Sequence, residues 1–275
     1  MKLISILKST VILLLLGSCA TNPFTQQKTI ALVPNSQLFP MAFQQYDQFL
    51  SEHQTIKTGS DAEMISRVGR RIAMAAERYL DANGSVSYLN DYRWDYNLVK
   101  DTLVNAWCMP GGKIVFYTGI LPIAKSETGI AAIMGHEVAH ALANHGQQRM
   151  SYAGIQQVGA LAVGAATQNK SQEDRDKFMM AYGVGSNVLG ILPYSRKHES
   201  EADKIGIYLM AIAGYNPELA PELWVRMKQN ANGAAPPEFL STHPSHETRI
   251  EQLKSLVQSA KDEAAKFGVT TFRPE

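Results

Sequence analysis

Apolar positions along the chain recur mostly at the spacing of helices that bury one face. Residues 37–80 follow this pattern, and helical patterns also cover three later stretches at 194–214, 217–229 and 243–267. Helical positions about three or four residues apart lie on the same side, so each stretch can place its apolar residues against a common core. The pattern therefore predicts a mainly helical fold.

The region between these helices carries the alternation that is typical of strands. Residues 92–101 alternate large apolar and polar side chains, and residues 103–121 contain two strand-like runs on either side of Pro110-Gly111-Gly112. Since the two glycines favour a tight turn, we expect a small antiparallel sheet. The fold class that follows is α+β, mainly helical, in a single domain over residues 36–275.

Two further helices are expected in the middle of the chain. Ser126 is a suitable N-cap for the first, in which Ile130, Ile133 and Met134 form an apolar stripe. The second covers residues 152–166, which are apolar and rich in small side chains but too few to cross a bilayer. We expect a buried helix there, with a flap over a cleft as the alternative.

The N-terminus has the pattern of an exported protein. Basic residues are followed by a short apolar run and then by Leu16-Gly17-Ser18-Cys19, which resembles the lipobox of bacterial lipoproteins. This resemblance implies a signal peptide over residues 1–18, a lipid anchor on Cys19 and a polar tether over residues 19–35. Because Ala20 rather than an aspartate follows the cysteine, it also implies the periplasmic face of the bacterial outer membrane. An ordinary signal peptide is the alternative.

Composition gives no sign of a nucleic-acid partner or of an internal disulfide bond. The 275 residues carry a net charge of +1, and no basic cluster indicates a nucleic-acid partner. With Cys19 acylated, Cys108 is the only cysteine left, so no internal disulfide is available. The core must then hold the fold, and we expect Cys108 to be a buried, unreactive thiol.

The candidate chemistry centres on the sequence HEVAH, which contains His136, Glu137 and His140. Both histidines lie on one face of a helix because residues about four apart are neighbours there. A catalytic zinc ion needs a third protein ligand and one open position. Ala143 and Gly146 stand where the metzincin class of zinc peptidases has Gly and His. The third ligand must therefore come from another element.

A later helix offers carboxylates for this role. Glu199 and Asp203 share one helix face, whereas Glu201 points to the other side. We expect Glu199 to bind zinc and Asp203 to accept the free N–H of a ligand histidine, which would fix its tautomer. A solvated acidic face is the alternative for this cluster taken alone. His145 lies off the ligand face and is expected to be a structural or supporting histidine.

These motifs, taken in order, resemble family forty-eight of the metallopeptidases, which includes the CAAX prenyl endopeptidases. Besides HEVAH, the resemblance rests on residues 195–203, on "NAWCMPGGKIVFYTG" and on "STHPSHETRI". It extends over residues 61–256 and implies a gluzincin-type zincin domain with one Zn²⁺ per chain. It also implies that His136, His140 and Glu199 bind the zinc ion and that Glu137 is the general base.

The resemblance also implies supporting roles. His243 would steady the oxyanion or occupy the open zinc position as a latency switch, and Arg249 would support the site. Gly111, Gly112 and Ile114 would hold substrate backbone by strand addition, a mode that suits unfolded or misassembled proteins. We therefore expect a membrane-anchored zinc endopeptidase that degrades such proteins in the bacterial envelope. The alternative is a latent protease, gated by His243 or by the segment 152–166, that acts mainly as a chaperone or assembly factor.

Overall fold

The computed structural model describes residues 19–187, 192–230, 238–243 and 247–273, so the signal peptide predicted over residues 1–18 lies outside the described residues. Most of these residues are helical, which confirms the predicted fold class. The helices are Asn35–Glu52 (α1), Ser60–Ala82 (α2), Leu121–Ala124 (α3), Glu127–Leu142 (α4), His145–Thr167 (α5), Gln172–Ser186 (α6), Leu192–Ile212 (α7), Leu219–Asn230 (α8), Glu238–Thr242 (α9) and Glu247–Lys266 (α10).

The strands form one small hairpin and one four-stranded sheet. They are Cys19–Thr21 (β1), Lys28–Ile30 (β2), Thr55–Ile56 (β3), Asp95–Val99 (β4), Ala106–Met109 (β5) and Lys113–Tyr117 (β6). β1 pairs with β2, and the larger sheet has the order β3-β4-β6-β5. β5 and β6 are antiparallel, as predicted, but β4 and β6 are parallel, so the sheet is mixed. Although β5 follows β4 in the sequence, the two strands are not neighbours, because β6 lies between them in the sheet.

The helical stretch predicted over residues 37–80 consists of two helices. α1 ends at Glu52 and α2 begins at Ser60, with β3 between them. Gly59, just before α2, has a φ of 97°, a backbone angle that residues with a side chain rarely adopt. The chain turns there, which allows β3 to pair with β4 at the edge of the sheet.

The strand predicted to hold substrate is not an edge strand, so that prediction is wrong. β6 has β4 on one side and β5 on the other, and Ile114 on β6 is fully buried. Its backbone groups therefore bond to neighbouring strands. Gly111 and Gly112 have φ of 83° and 87° and form the turn before β6, where an added Cβ would strike the ring of Phe43 or Trp94. The edge strand next to β6 is β5.

The centre of the fold is the contact between α4 and α7. Every residue from Thr128 to Leu142 in α4 is buried. The two helices touch through glycines: a Cβ added to Gly135 would lie 2.6 Å from the carbonyl oxygen of Gly206. One added to Gly206 would lie 2.8 Å from the backbone nitrogen of His136. This close approach brings the side chains of α7 within reach of the histidines on α4.

The segment 152–166 is helical, as predicted, but it is not buried. It lies in α5, which packs along α6 as a helical hairpin, and Val158 and Leu161 are 67% and 69% exposed. The hydroxyl of Tyr182 donates to the carbonyl of Gln156 at 2.9 Å across the hairpin. The expected burial is wrong because this part of α5 packs mainly against a single helix. None of the helices in the described ranges combines the length and the hydropathy that crossing a bilayer requires.

The predicted tether, residues 19–35, contains the β1–β2 hairpin and contacts the helices. The side-chain amide of Asn22 donates to the carbonyl of Leu142 at the end of α4, over 3.0 Å. The backbone N–H of Leu32 donates to the hydroxyl of Ser151 on α5, also over 3.0 Å. This segment therefore lies against α4 and α5 instead of extending away from them.

Candidate metal centre

The two histidines of HEVAH point to the same side of α4. The hydroxyl of Ser126 caps the start of this helix by accepting the N–H of Gly129 at 3.2 Å, as expected for an N-cap. One helical turn separates His136 from His140, and their Nε2 atoms lie 3.1 Å apart. Both side chains are buried, with 2% and 4% of their surface exposed.

Glu199 on α7 meets both histidines. Its Oε2 lies 3.4 Å from Nε2 of His136, and its Oε1 lies 3.4 Å from Nε2 of His140. Burial opposes ionisation of Glu199, but the neighbouring rings of His136, His140 and His243 outweigh it and hold the pKa of this carboxyl well below its ordinary value. Glu199 is therefore a carboxylate that faces three imidazole rings.

His243, which directly follows α9, completes the cluster. Its Nδ1 lies 3.2 Å from Nε2 of His136 and 3.0 Å from Oε2 of Glu199. The backbone N–H of His243 donates to the carbonyl of Phe239, and the Phe239 ring stacks on Trp224 with centroids 5.6 Å apart. Packing on these aromatic rings thus holds His243 next to the other three side chains.

The donor set of this cluster fits a metal ion. One ligand atom from each of His136, His140, Glu199 and His243 lies within 4.8 Å of the others, and all four residues are buried. A tetrahedral ion with bonds of about 2.0–2.1 Å to imidazole nitrogen would hold its ligands about 3.3–3.4 Å apart. The distances quoted above are 3.0–3.4 Å. Because Nε2 of His136 faces two ring nitrogens and a carboxylate, one proton there cannot bond to all of them, whereas a cation can.

Asp203 and Arg249 contact the residues of the cluster through buried polar groups. Oδ1 of Asp203 lies 3.0 Å from Nδ1 of His136, the position expected for a carboxylate that fixes the tautomer of a metal-binding ring. Arg249 donates from two nitrogens to the two oxygens of Asp203, and its Nη1 lies 3.2 Å from Oε2 of Glu199. The same nitrogen donates to the carbonyl of His243 at 3.3 Å. One buried arginine therefore links three residues of the site.

The sequence around this centre matches a known family. Residues 64–257 match the model of peptidase family M48, which is more than half of the chain. The chain belongs to peptidase family M48. The buried cluster of three histidines and one glutamate is a donor set that could hold the metal ion of a metal-dependent peptidase.

Several M48 relatives are similar over most of this chain. It is 33% identical over 208 residues to mitochondrial metalloendopeptidase OMA1 of Schizosaccharomyces pombe, which covers 72% of this chain and 59% of that protein. It is 24% identical over 243 residues to the beta-barrel assembly-enhancing protease of Escherichia coli, covering 78% and 49%. Identity to the putative beta-barrel assembly-enhancing protease of Vibrio cholerae is 32% over 183 residues, covering 62% and 37%. The chain thus spans between 37% and 59% of the length of these relatives.

Glu137 of the M48 motif lies beside the cluster and not within it. It is 3% exposed, and its Oε1 lies 3.5 Å from Nε2 of His243. Burial raises the pKa of this carboxyl to about 7. A group with such a pKa can both accept and release a proton near neutral pH, which is what general acid–base chemistry requires.

Three further residues lie next to this cluster, and one of them, His145, was expected to be a structural or supporting histidine. His145 lies with its Nδ1 2.8 Å from Nδ1 of His140, and its Nε2 lies 3.1 Å from Oε2 of Glu201. His198 stacks on His145 with ring centroids 3.9 Å apart. A helical wheel placed His145 off the ligand face, but it assumed one continuous helix. Asn144 has a φ of 56°, so α4 ends before it and a new helix begins at His145.

Cys108 is not one of the four residues of the cluster. Cys108 on β5 is half-buried, and burial raises the pKa of its thiol well above the ordinary value, which keeps the thiol in its unreactive neutral form. Cys19 begins β1, and its side chain lies outside the described part of the structure, so its lipidation stays a prediction.

Proposed function

We propose that this chain is a zinc-dependent endopeptidase, anchored to a membrane of the bacterial cell envelope, that degrades unfolded or misassembled envelope proteins. The observation that carries the proposal is the convergence of His136, His140 and Glu199, with Glu137 next to the first ligand. Three protein ligands and an adjacent carboxyl base form the minimal set for zinc-assisted peptide hydrolysis.

His136, His140 and Glu199 would hold the zinc ion, and Asp203 would keep His136 in the tautomer that leaves Nε2 free. Zinc bound there would supply Lewis acidity to the peptide carbonyl and to the attacking water. Glu137 accepts the proton of that water and delivers it to the amine of the leaving peptide. Its burial supports this role, because burial raises the pKa of the carboxyl and makes it a better proton acceptor.

The position of His243 supports a second candidate function, that of a latent protease. Its Nδ1 lies within 3.2 Å of a ligand nitrogen of His136 and within 3.0 Å of Glu199, where a fourth ligand would stand. A ring in this position would compete with water and substrate for the open coordination site. In that form the chain would act mainly as a chaperone or assembly factor. The role as oxyanion donor requires the ring to move away from Glu199.

The edge of β5 supports unfolded proteins as the substrate class. The N–H of Tyr117 on β6 donates to the carbonyl of Asn105, and backbone groups alternate in direction along an antiparallel strand. The backbone groups of Ala106 and Cys108 therefore face away from β6. The N–H of Ala106 bonds to the side chain of Asn105, and in the described sheet no strand pairs with the backbone groups of Cys108. β5 also packs against α4. A peptide added there would be read through its backbone, as an extended chain without a fixed sequence.

Cleavage of casein tests the catalytic proposal. We expect zinc-loaded protein to cleave unfolded casein and the Glu137→Gln variant to bind zinc but lose cleavage, since an amide cannot accept the proton. The His243→Ala variant separates the two candidate functions, because a latency switch predicts faster cleavage and an oxyanion donor predicts slower cleavage. Equal cleavage by wild type and Glu137→Gln would show that the assigned mechanism is wrong.

The anchor is tested separately. We expect the precursor to incorporate labelled palmitate at Cys19 and to fractionate with the outer membrane when it is expressed in a double-membraned bacterium. Cys19→Ser should abolish both the label and the membrane association, while the Cys108→Ser control should leave them unchanged. Label that persists in Cys19→Ser would contradict the anchor.

A further inference from the structure

The contacts of His145 are not used by the proposed mechanism. This side chain is fully buried, with 0% of its surface exposed. One ring nitrogen lies 2.8 Å from Nδ1 of the ligand His140, and the other lies 3.1 Å from a carboxylate oxygen of Glu201. These distances are those of hydrogen bonds, so the three side chains form a continuous chain of contacts that ends at the metal cluster.

Counting protons along this chain gives each ring a definite form. A carboxylate can only accept, so Nε2 of His145 carries the proton that bonds to Glu201. In a neutral ring Nδ1 of His145 is then an acceptor, and the proton between the two rings belongs to Nδ1 of His140. Nε2 of His140 is thereby left with its lone pair, on the side that faces Glu199 at 3.4 Å. The opposite arrangement would place a proton on the nitrogen that has to bind the metal.

We propose that His145 and Glu201 are positioning residues for the metal centre: Glu201 orients His145, and His145 holds His140 in the tautomer whose Nε2 lone pair faces the metal. This inference rests on the proposed zinc site. It gives His140 the support that Asp203 gives His136, with one imidazole ring inserted between the carboxylate and the ligand. Such supporting hydrogen bonds typically contribute tenfold or more to metal affinity.

The surroundings of His145 keep its ring in place. The ring stacks on His198 with an interplanar angle of 15° and a centroid distance of 3.9 Å. Its backbone is turned toward the site by Asn144, whose φ of 56° ends α4 and starts α5. Glu201 comes from α7, the helix that also supplies Glu199. The Glu201–His145–His140 relay therefore joins three helical segments at one ligand.

Two substitutions of His145 separate hydrogen bonding from packing. His145→Leu keeps most of the volume but provides no acceptor for Nδ1–H of His140, whereas the amide oxygen of His145→Asn can occupy about the place of the lost Nδ1. We expect zinc affinity, measured by competition with a chromophoric chelator, to fall about 10- to 100-fold in the Leu variant. In the Asn variant it should return to within a few-fold of wild type. A packing role alone predicts the reverse order, since Leu fills the site better than Asn.

The carboxylate is tested in the same way. Glu201→Gln keeps an acceptor for His145 and should weaken zinc binding less than Glu201→Leu. Adding Glu201→Leu to His145→Leu should cause little further loss, because the relay is already broken. Tyr92→Phe is the matched control: it removes a hydrogen bond of 3.1 Å to the carbonyl of Ala141 near the end of α4 but does not touch the relay.

Co²⁺-substituted protein provides a readout besides activity. The visible absorption of Co²⁺ reports the geometry of its ligands, so we expect it to change in His145→Leu and to stay unchanged in Tyr92→Phe. Equal zinc affinity in wild type and His145→Leu, or equal losses in the Leu and Asn variants, would overturn the inference. If wild type itself binds no zinc, the proposed zinc site fails, which is a different result from a wild-type affinity that His145 does not influence.

Discussion

Replacing Arg249 by Met tests how the charged groups of the site are stabilised. The Arg249 side chain is buried and bonds to both oxygens of Asp203, with an Nη2 to Oδ1 distance of 2.8 Å. Its Nη1 also lies 3.2 Å from Glu199, and the guanidinium carbon lies 3.7 Å from the ring centroid of Trp224. Methionine has a similar length and can still cover the tryptophan. The substitution therefore removes mainly the charge and leaves Asp203 buried without its cation.

The expected loss is large because one partner of a buried ion pair remains. Breaking such a pair costs about 3–5 kcal/mol, which we expect in the free energy of unfolding measured by urea denaturation in the presence of a chelator. Arg226→Met is the matched control, since the half-buried Arg226 donates to the carbonyls of Ile123 and Ala124 and, within the described ranges, pairs with no carboxylate. These bonds have a charged donor but neutral acceptors, so the control leaves no buried charge without its partner, and we expect a smaller loss than in Arg249→Met. Equal losses in the two variants would refute the reasoning.

The Arg249→Met variant should also show a characteristic pH dependence. Burial opposes ionisation of Asp203, but Arg249 outweighs it, and the pKa of Asp203 is lowered. A carboxyl whose folded pKa lies below its unfolded value, about 3.9, adds stability that is fully present above that value. The contribution disappears as the pH falls through the folded pKa. The deficit of Arg249→Met should thus be full near neutral pH and shrink below about pH 4, and a deficit that grows on acidification would contradict this assignment.

Three further outcomes are expected at other points of the site. Gly206→Ala should lower the free energy of unfolding by about 1–3 kcal/mol, because its Cβ would lie 2.8 Å from the backbone nitrogen of His136; the control Gly183→Ala, with nothing within 4 Å, should be neutral or stabilising. Asp203→Asn should weaken zinc binding about 10- to 100-fold in chelator competition, and unchanged affinity would show that this carboxylate does not support His136. Adding zinc at about a thousand times its dissociation constant should stabilise the protein by about 4 kcal/mol, and no shift in the melting temperature would speak against a bound metal.

Local helical periodicity was sufficient to place the main residues of the site on common helix faces. His136 and His140 are one turn apart on α4, and Glu199 and Asp203 are one turn apart on α7, so each pair shares a face whatever the rest of the fold does. The structure places these two faces in contact. The mainly helical fold followed from the same periodicity, since it depends on residues that are close in the sequence.

Features that depend on distant contacts were harder to predict. The position of β6 between β4 and β5 depends on how a connection crosses the sheet, and no residue type marks that crossing. The exposure of α5 depends on how little packs against it, which an apolar sequence does not reveal. His145 was expected to be a structural or supporting histidine, but its contact with His140 depends on a local feature that helical spacing did not include, the left-handed backbone of Asn144.

Three carboxylates around the metal cluster belong to one helix, α7. Glu199 would bind the metal directly, Asp203 contacts His136, and Glu201 reaches His140 through His145. Because these three carboxylates belong to one helix, any shift of α7 relative to α4 changes the support of both histidines together. The glycine contact between the two helices sets that relation, with backbone atoms close enough that a single Cβ does not fit. The close contact of Gly135 with Gly206 therefore sets the distance between the helix that carries the two histidines and the helix that carries the three carboxylates.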